Sequence, residues 1–253
     1  MIEIYLGTFS GGWAIDGRTQ GWSSHVAAPE GLERWVGDIA RRHASRWRKP
    51  RVVLWLSGGL ARPCLCGPVA GLSGWQDAEA FAASAAPEAT GLEGPCQVRL
   101  EDWPGEVPVL CTAIDAALGD AIQALAKSHR IVWHSVRPRW AALLDEALLR
   151  TPSTRLVCLA EEDALTLVGG PASNWPPAPA AGFELASTYA PAPDADQATA
   201  LWHRMLLSLD VQPDDAWFAQ LEPVVEGEAT APVAGAANAP AWPRLAQPTQ
   251  ATA

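Results

Sequence analysis

The fold is decided by residues 1–26, which read MIEIYLGTFSGGWAIDGRTQGWSSHV. Every second residue from Ile2 to Leu6 is apolar, the period that is typical of a strand with one buried face. Gly11-Gly12 and Asp16-Gly17 supply turns, because these residues tolerate a positive φ. The stretch therefore predicts three antiparallel strands: Ile2–Phe9, Trp13–Ile15 and Arg18–Val26.

A helix and a buried strand follow this meander. Pro29-Glu30 opens the helix, and apolar residues then recur at helical spacing from Leu32 to Ile39. Arg51–Leu56 is nearly continuously apolar, as expected of a strand that is covered on both faces. The first 56 residues thus predict a β-β-β-α-β unit.

The middle of the chain predicts a smaller mixed unit and a return to the first one. No strand or helix is assigned to Ala61–Pro68. Beyond it the sequence predicts an Ala-rich helix, a pair of strands, a helix capped by Asp115, a further strand and a last helix. These elements are Gly74–Ala86, Gln97–Trp103, Val107–Ile114, Asp115–Ser128, Ile131–Val136 and Arg139–Arg150.

The opening pattern then recurs from Thr154. Three strands and a helix are predicted again, and a long loop over Pro171–Pro179 interrupts them. We expect this second copy to lack the buried strand that should follow, because Val211–Pro223 is acidic. The Ala/Pro-rich tail of residues 226–253 is predicted to be disordered. The repeated elements are Arg155–Ala160, Ala164–Val168, Gly182–Ala190 and Asp194–Leu209.

The order of these elements resembles the actin-like architecture of sugar kinases, heat-shock chaperones and actin. More narrowly, it is similar to the cytoplasmic actin-like scaffolds of type IV pilus and type II secretion machines. The expected fold class is α/β: a duplicated ribonuclease-H-like fold with a small α/β insertion and a shortened second half. The resemblance implies a first lobe at 1–60 and 115–152, an insertion at 61–114, a second lobe at 153–225 and the tail at 226–253.

The resemblance also implies a function. It predicts a non-catalytic cytoplasmic scaffold that docks a short N-terminal segment of an inner-membrane assembly protein, without binding nucleic acid and reaching the membrane only through that partner. The expected location is cytoplasmic, with possible peripheral attachment at the inner membrane. The docking groove is predicted between the first lobe and the insertion, lined by Trp55, Leu60, Arg62, Pro63, Pro87 and Leu92.

Departures from the ATP-binding members of this fold argue against a nucleotide cofactor. Those members carry an Asp-x-Gly turn in each half, where the carboxylate helps to hold the metal and glycine lets the backbone approach phosphate. Here Tyr5 replaces the first Asp, and the turn Glu161-Glu162-Asp163 has no glycine. We therefore predict no enzyme activity and no cofactor. The alternative is an ATP-binding enzyme or switch that uses the Gly7–Gly12 loop as a phosphate cradle.

Composition narrows the remaining classes. The net charge of −10 disfavours nucleic acid as a partner of the whole molecule. The charge is uneven, however: residues 1–62 hold nine Lys/Arg and five Asp/Glu (+4), so the remainder carries −14. A basic stretch with Trp47 spans Arg41–Arg51 and keeps a nucleic-acid module open as a third hypothesis. Absence of a signal-like leader and of about 20 consecutive apolar residues favours the cytosol.

The residues that a nuclease, a metal site or a nucleophilic enzyme would need are present only in part. Glu3 is the one acid on the opening strands that a nuclease would use, and Arg51–Leu56 supplies none. Five cysteines are an odd number and suit reduced thiols, and Cys64-x-Cys66 lacks a second ligand pair, so no metal site is predicted. Cys111 and His134 lie on separate predicted strands and are most simply core residues. Trp13 and Trp22 are candidate anchors for a partner.

Overall fold

The computed structural model describes residues 1–23, 25, 27–45, 47–67, 71, 74–101, 108–151, 153–170 and 183–221. Twelve strands and five helices occupy these ranges. In chain order they are β1 (Ile2–Leu6), β2 (Gly11–Ile15), β3 (Arg18–Ser23), α1 (Ala28–His43), β4 (Arg51–Leu56), β5 (Ala61–Cys66), α2 (Trp75–Thr90), β6 (Cys96–Leu100), β7 (Val109–Asp115), α3 (Ala116–Ser128), β8 (Val132–Pro138), α4 (Arg139–Arg150), β9 (Leu156–Ala160), β10 (Leu165–Gly169), β11 (Leu185–Tyr189), α5 (Ala195–Ser208) and β12 (Ala216–Gln220).

The first sheet has five strands in the order β3-β2-β1-β4-β8. β1 to β3 form the predicted antiparallel meander, and the turn at Asp16-Gly17 has positive φ at both residues, 48° and 74°. β4 and β8 add to β1 in parallel. α1 and α3 pack on one face of the sheet, where Leu32, Trp35 and Ile39 enter the core. We call this sheet with α1 and α3 the first lobe.

The second sheet repeats the topology, with the order β11-β10-β9-β12. Its last strand corrects our prediction that the second copy lacks one: β12 pairs with β9 in parallel, as β4 does with β1. Asp214 and Asp215 precede the strand instead of lying within it, and Trp217 is buried. We call this sheet with α5 the second lobe.

The insertion is a three-stranded antiparallel sheet, β5-β7-β6, with α2 on one face. β5 is a correction to our prediction, which placed no strand or helix over Ala61–Pro68. Proline is tolerated since β5 is an edge strand, where a missing N–H costs no ladder bond. α2 also runs past the predicted end at Ala86 to Thr90, and Gly91 closes it with a positive φ of 68°.

α4 lies between the lobes, and its Trp140 side chain is only 1% exposed. Its indole donates to the Ala61 carbonyl at 2.8 Å, and the ring packs with residues of β1, β9 and β12 in one shared core. Within the described ranges, no helix is both long and apolar enough to span a bilayer. The predicted loop at 171–179 and the predicted tail at 226–253 lie outside the described residues, and the domain boundaries stay a prediction.

Candidate functional site

Three short segments meet between the two lobes. They are the end of β1 with its loop (Tyr5–Thr8), the turn after β4 (Ser57–Gly59) and the acidic turn between β9 and β10 (Glu161–Asp163). We call this the interlobe contact. It places the Gly7 loop, our candidate phosphate cradle, directly against the second lobe.

Asp163 is held by three donors from the first lobe. Its Oδ2 accepts the Thr8 backbone N–H at 2.7 Å, the Thr8 hydroxyl at 2.7 Å and the Ser57 hydroxyl at 2.6 Å. Its Oδ1 is buried and has no partner among the described residues. Hydrogen bonds to a charged acceptor are stronger than neutral ones, so a single oxygen ties two first-lobe segments to the second lobe.

Glu161 makes the second tie. One carboxyl oxygen accepts the Tyr5 hydroxyl at 3.0 Å, and the other accepts the Gly58 N–H at 2.6 Å. Only 6% of the residue is exposed. Burial, reinforced by the charge of Asp163, raises the pKa of Glu161 to about 8 despite these hydrogen bonds. Burial likewise raises the pKa of Tyr5 well above its ordinary value.

The turn after β4 is built from small residues because the second lobe approaches it closely. A Cβ on Gly58 would lie 2.0 Å from Thr166 Oγ1, and one on Gly59 would lie 2.6 Å from Asp163 Oδ2. Any side chain at either position would therefore push the lobes apart. This role was not predicted from the sequence, although a signal was present: two glycines follow Ser57 immediately after a buried strand.

The hydrogen-bond donors around the predicted phosphate cradle are engaged within the protein. The donors that face the cleft from Thr8, Ser57 and Gly58 are already bonded to the protein's own carboxylates. The Gly7 N–H is also engaged, since it donates to the Ser10 carbonyl at 2.7 Å. In this arrangement the two carboxylates take the hydrogen bonds that phosphate oxygens would need.

A second feature is a groove of about 750 Å³ between the first lobe and the insertion. Its walls come from α2, β6 and β7 on one side and from α3, β8 and α4 on the other. The lining residues are Leu56, Glu79, Ala80, Ala83, Gln97, Val98, Arg99, Leu100, Glu101, Thr112, Ile114, Gln123, Val136, Arg137, Pro138 and Ala141.

Edge strand β6 borders this groove with hydrogen-bonding groups that no described strand uses. Glu101 N–H donates to Leu110 and Ala116 N–H donates to Pro95, which fixes the residues whose backbone faces β7. Antiparallel pairing alternates, so the N–H and C=O groups of Val98 and Leu100 face the open edge. Thr112 Oγ1, also in the lining, is buried without a partner in the described part.

Charges at the groove are paired at its rim. Arg99 bonds Glu79 at 2.8 Å, and Arg137 bonds Asp145 at 2.6 Å. Glu101 lies near Arg137, yet partial burial raises its pKa. Val136 contributes an apolar side chain that is 38% exposed. The groove therefore combines an apolar floor, a free strand edge and a rim of both charge signs.

The predicted docking residues lie close to this region but outside the groove lining. The Trp55 indole donates to Glu3 at 3.2 Å and lies beneath Arg139, while Arg62 donates to the carbonyls of Gly59 and Thr90. Pro63 is buried, and the others are half-buried. Their role in partner binding stays a prediction. The full set is Trp55, Leu60, Arg62, Pro63, Pro87 and Leu92.

The remaining candidates do not assemble into sites. Cys111 is fully buried in the insertion sheet, whereas His134 is exposed on the first sheet. Trp13 is 1% exposed and belongs to the core, so it is not a partner anchor. Trp22 stacks on Tyr5 with ring centroids 5.9 Å apart. Across the described residues, no three acidic, histidine or cysteine side chains converge as metal ligands.

Two lobes of matching strand order, joined at a cleft and carrying one insertion, define the actin-like class, and the predicted fold is confirmed. A Bacteroides thetaiotaomicron protein with an actin-like ATPase fold is similar over 89% of this chain and 82% of its own, at 11% identity and a TM-score of 0.50.

Two further solved structures are similar over most of the chain. One is the cytoplasmic domain of EpsL, an inner-membrane component of the Vibrio cholerae type II secretion system, with 13% identity, 88% and 82% coverage and a TM-score of 0.47. The other is the PilM–PilN type IV pilus biogenesis complex, with 14% identity, 83% and 66% coverage and a TM-score of 0.44. No protein-family profile matches the chain, and no curated protein matches it in sequence.

Proposed function

We propose that this chain is a non-catalytic cytoplasmic scaffold that docks a short cytoplasmic segment of an inner-membrane protein in pilus or type II secretion assembly. The observation that carries the proposal is the contrast between the two clefts. The interlobe contact is closed by the protein's own carboxylates, while the groove beside the insertion is open.

The interlobe contact supports a role without nucleotide. An ATP-binding cleft of this fold must present backbone and hydroxyl donors to phosphate oxygens. Here Asp163 and Glu161 take those donors, and a bound triphosphate would bring further negative charge against Asp163. Binding would therefore require the loss of four hydrogen bonds and the separation of the lobes.

The groove supports docking of an extended segment. Free N–H and C=O groups on β6 offer main-chain hydrogen bonds of the kind that strand addition uses. The apolar lining at Leu56, Val136 and Ala141 would take alternate side chains of such a segment. A volume of about 750 Å³ suits a few residues, which agrees with a short partner segment.

Nucleotide titration by calorimetry tests the first half of this proposal. We expect no heat of binding for ATP, with or without magnesium, at protein concentrations of tens of micromolar. Tight, magnesium-dependent binding would instead support the alternative, an ATP-dependent enzyme or switch that uses the Gly7–Gly12 loop.

Site-specific photo-crosslinking in cells tests the second half. A crosslinker at Val136 should capture an inner-membrane protein, whereas one at Leu207, which is exposed on α5 of the second lobe, should not. A synthetic peptide of the captured protein's cytoplasmic segment should bind the purified chain, and Val136→Glu should abolish that binding while Leu207→Glu leaves it intact. Equal loss in both variants, or no binding of the peptide, would contradict docking in the groove.

A further inference from the structure

One end of the first lobe collects several chain segments. β1, β4 and β8 run parallel and begin there, since Ile2, Val52 and Trp133 are neighbours in register. α1 ends there before β4, and α3 ends there before β8. The Val132 N–H donates to the Pro50 carbonyl at 2.9 Å and joins the two connecting loops. The β2–β3 turn also lies at this end.

This end carries a large share of the positive charge. The whole sequence has 18 Lys and Arg residues and a net charge of −10. Among the described residues, eight of these cations, all of them exposed, lie on the strand starts, the helix ends, the connecting loops and the turn. We call this end the basic pole, and its residues are Arg18, Arg41, Arg42, Arg48, Lys49, Arg51, Lys127 and Arg130.

Acidic residues do not cancel this charge. Among the described residues that these segments place at the pole, the carboxylates are Asp16 and Asp38. Asp16 is paired with the Met1 amino group, and Asp38 is paired with Arg41. The surplus of cations is therefore displayed to solvent on a protein that is otherwise strongly acidic.

An exposed tryptophan lies at the centre of the basic stretch. Trp47, in the loop between α1 and β4, is 88% exposed, while Arg42 covers the ring of buried Trp13 at 5.4 Å. Tryptophan side chains in such positions favour the boundary between water and lipid, because the indole is apolar but carries one polar N–H. Cations flanking an exposed indole match an anionic lipid surface.

We infer that the basic pole binds the surface of an anionic phospholipid bilayer directly, with Trp47 entering the headgroup region. The remainder of the chain is acidic, and screening at physiological salt limits attraction to about 8 Å, so a flat surface meets the pole alone. A nucleic-acid strand would instead require a charged groove and several aromatic platforms. This contact goes beyond the proposed docking function, in which only the partner reaches the membrane.

The orientation that follows leaves the groove accessible. The basic pole lies at the beginning of β4 and β8, whereas the groove lining includes Leu56 and Pro138 at their ends. A chain held at the bilayer by its pole would turn the groove away from the lipid. Direct lipid contact and partner docking are thus compatible.

Vesicle co-sedimentation tests the inference. The chain should bind phosphatidylethanolamine vesicles that contain phosphatidylglycerol, and it should not bind phosphatidylcholine vesicles. High salt should release most, but not all, of the bound chain. Arg48→Ser with Lys49→Ser should weaken binding about 25-fold, because each basic residue near an anionic surface contributes roughly a five-fold factor. Arg34→Ser with Arg204→Ser makes the same charge change away from the pole and should leave binding within about two-fold.

The tryptophan gives a second, independent readout. Trp47→Ala keeps every charge and should remove the part of the binding that survives high salt, because that part depends on the indole. No binding at any phosphatidylglycerol content would overturn the inference. So would salt-dependent binding to oligonucleotides in place of vesicles, or equal weakening by the pole variant and the charge-matched control.

Discussion

The interlobe contact and the insertion groove differ in how many of their polar groups have hydrogen-bond partners. At the contact, donors from two first-lobe segments end on Asp163 and Glu161 of the second lobe, and Thr8 donates twice. In the groove, Thr112 Oγ1 is buried with no partner among the described residues, and no described strand pairs with the outer edge of β6. A buried polar group costs free energy unless it is bonded. At the contact Asp163 Oδ2 and both Glu161 oxygens are bonded and Asp163 Oδ1 is the exception within the described structure, whereas the open edge of β6 would gain hydrogen bonds from an added strand.

This difference shows how an actin-like fold can keep two lobes together without a ligand between them. In the nucleotide-binding arrangement, phosphate oxygens would collect donors from both sides of a cleft. Here side chains of the second lobe collect them. The tie is intramolecular, so it carries no loss of translational freedom, and its strength is measurable as stability of the folded chain.

Removal of the Asp163 carboxylate should have the largest effect. Asp163→Ala leaves two donors on Thr8 and one on Ser57 without their acceptor, which should lower the free energy of unfolding by about 3 kcal/mol. Urea unfolding measures this. The matched control is Glu162→Ala, because Glu162 is the exposed carboxylate beside it and should change stability by less than about 0.5 kcal/mol. Equal effects of both variants would contradict the tie.

A methyl group in the contact should have the next largest effect. Gly58→Ala would place Cβ 2.0 Å from Thr166 Oγ1. The Thr166 side chain is β-branched and only 1% exposed, so it cannot rotate away without a clash. We expect a loss of about 2 kcal/mol in the free energy of unfolding. Gly67→Ala serves as the control, because nothing lies within 4 Å of a Cβ there. If Gly58→Ala leaves the free energy of unfolding unchanged, the two lobes can move apart at little cost.

The elements that sequence reasoning located and those that it missed differ in how local their cause is. The meander over residues 1–26 was predictable, because alternation and the Asp16-Gly17 turn are local properties. β12 was not predicted because the segment 211–223 was judged as a whole, and its acidic residues outweighed the short apolar alternation within Ala216–Gln220. β5 was missed because Pro63 is tolerated only at a sheet edge, and edge position is a tertiary property.

The site was less predictable than the fold for a similar reason. Thr8 and Asp163 are 155 positions apart, and the donors that bind the carboxylate include a backbone N–H, which leaves no trace in a sequence. The acidic turn was visible, but its meaning depended on what faces it. The predicted docking residues stay a prediction; the groove that the structure shows between the first lobe and the insertion is lined from α2, β6 and β8, and those residues lie outside its lining.

The pH dependence of stability sharpens the comparison further. The pKa of Glu161 is about 8 in the folded chain against an ordinary 4.5, so the folded state retains a proton that the unfolded state has released. Stability is therefore greatest below the ordinary pKa and falls as the pH rises through 8. Between pH 6 and 7 the wild type should lose about 1 kcal/mol more than Glu161→Gln, whose carboxamide mimics the protonated acid. An equal change in the free energy of unfolding between pH 6 and 7 for the wild type and Glu161→Gln would contradict this.

The smallest expected effect lies in the groove and has the opposite sign. Thr112→Val removes a buried hydroxyl that has no partner in the described structure, so the free energy of unfolding should stay constant or rise by up to about 1 kcal/mol. Thr166→Val is the matched change at the interlobe contact, where the hydroxyl lies 3.4 Å from that of Thr188, and it should lower stability by about 1 kcal/mol. Urea unfolding of the two variants measures the difference directly. If Thr112→Val lowers stability more than Thr166→Val does, the Thr112 hydroxyl has a hydrogen-bond partner. The groove would then be no less satisfied than the interlobe contact.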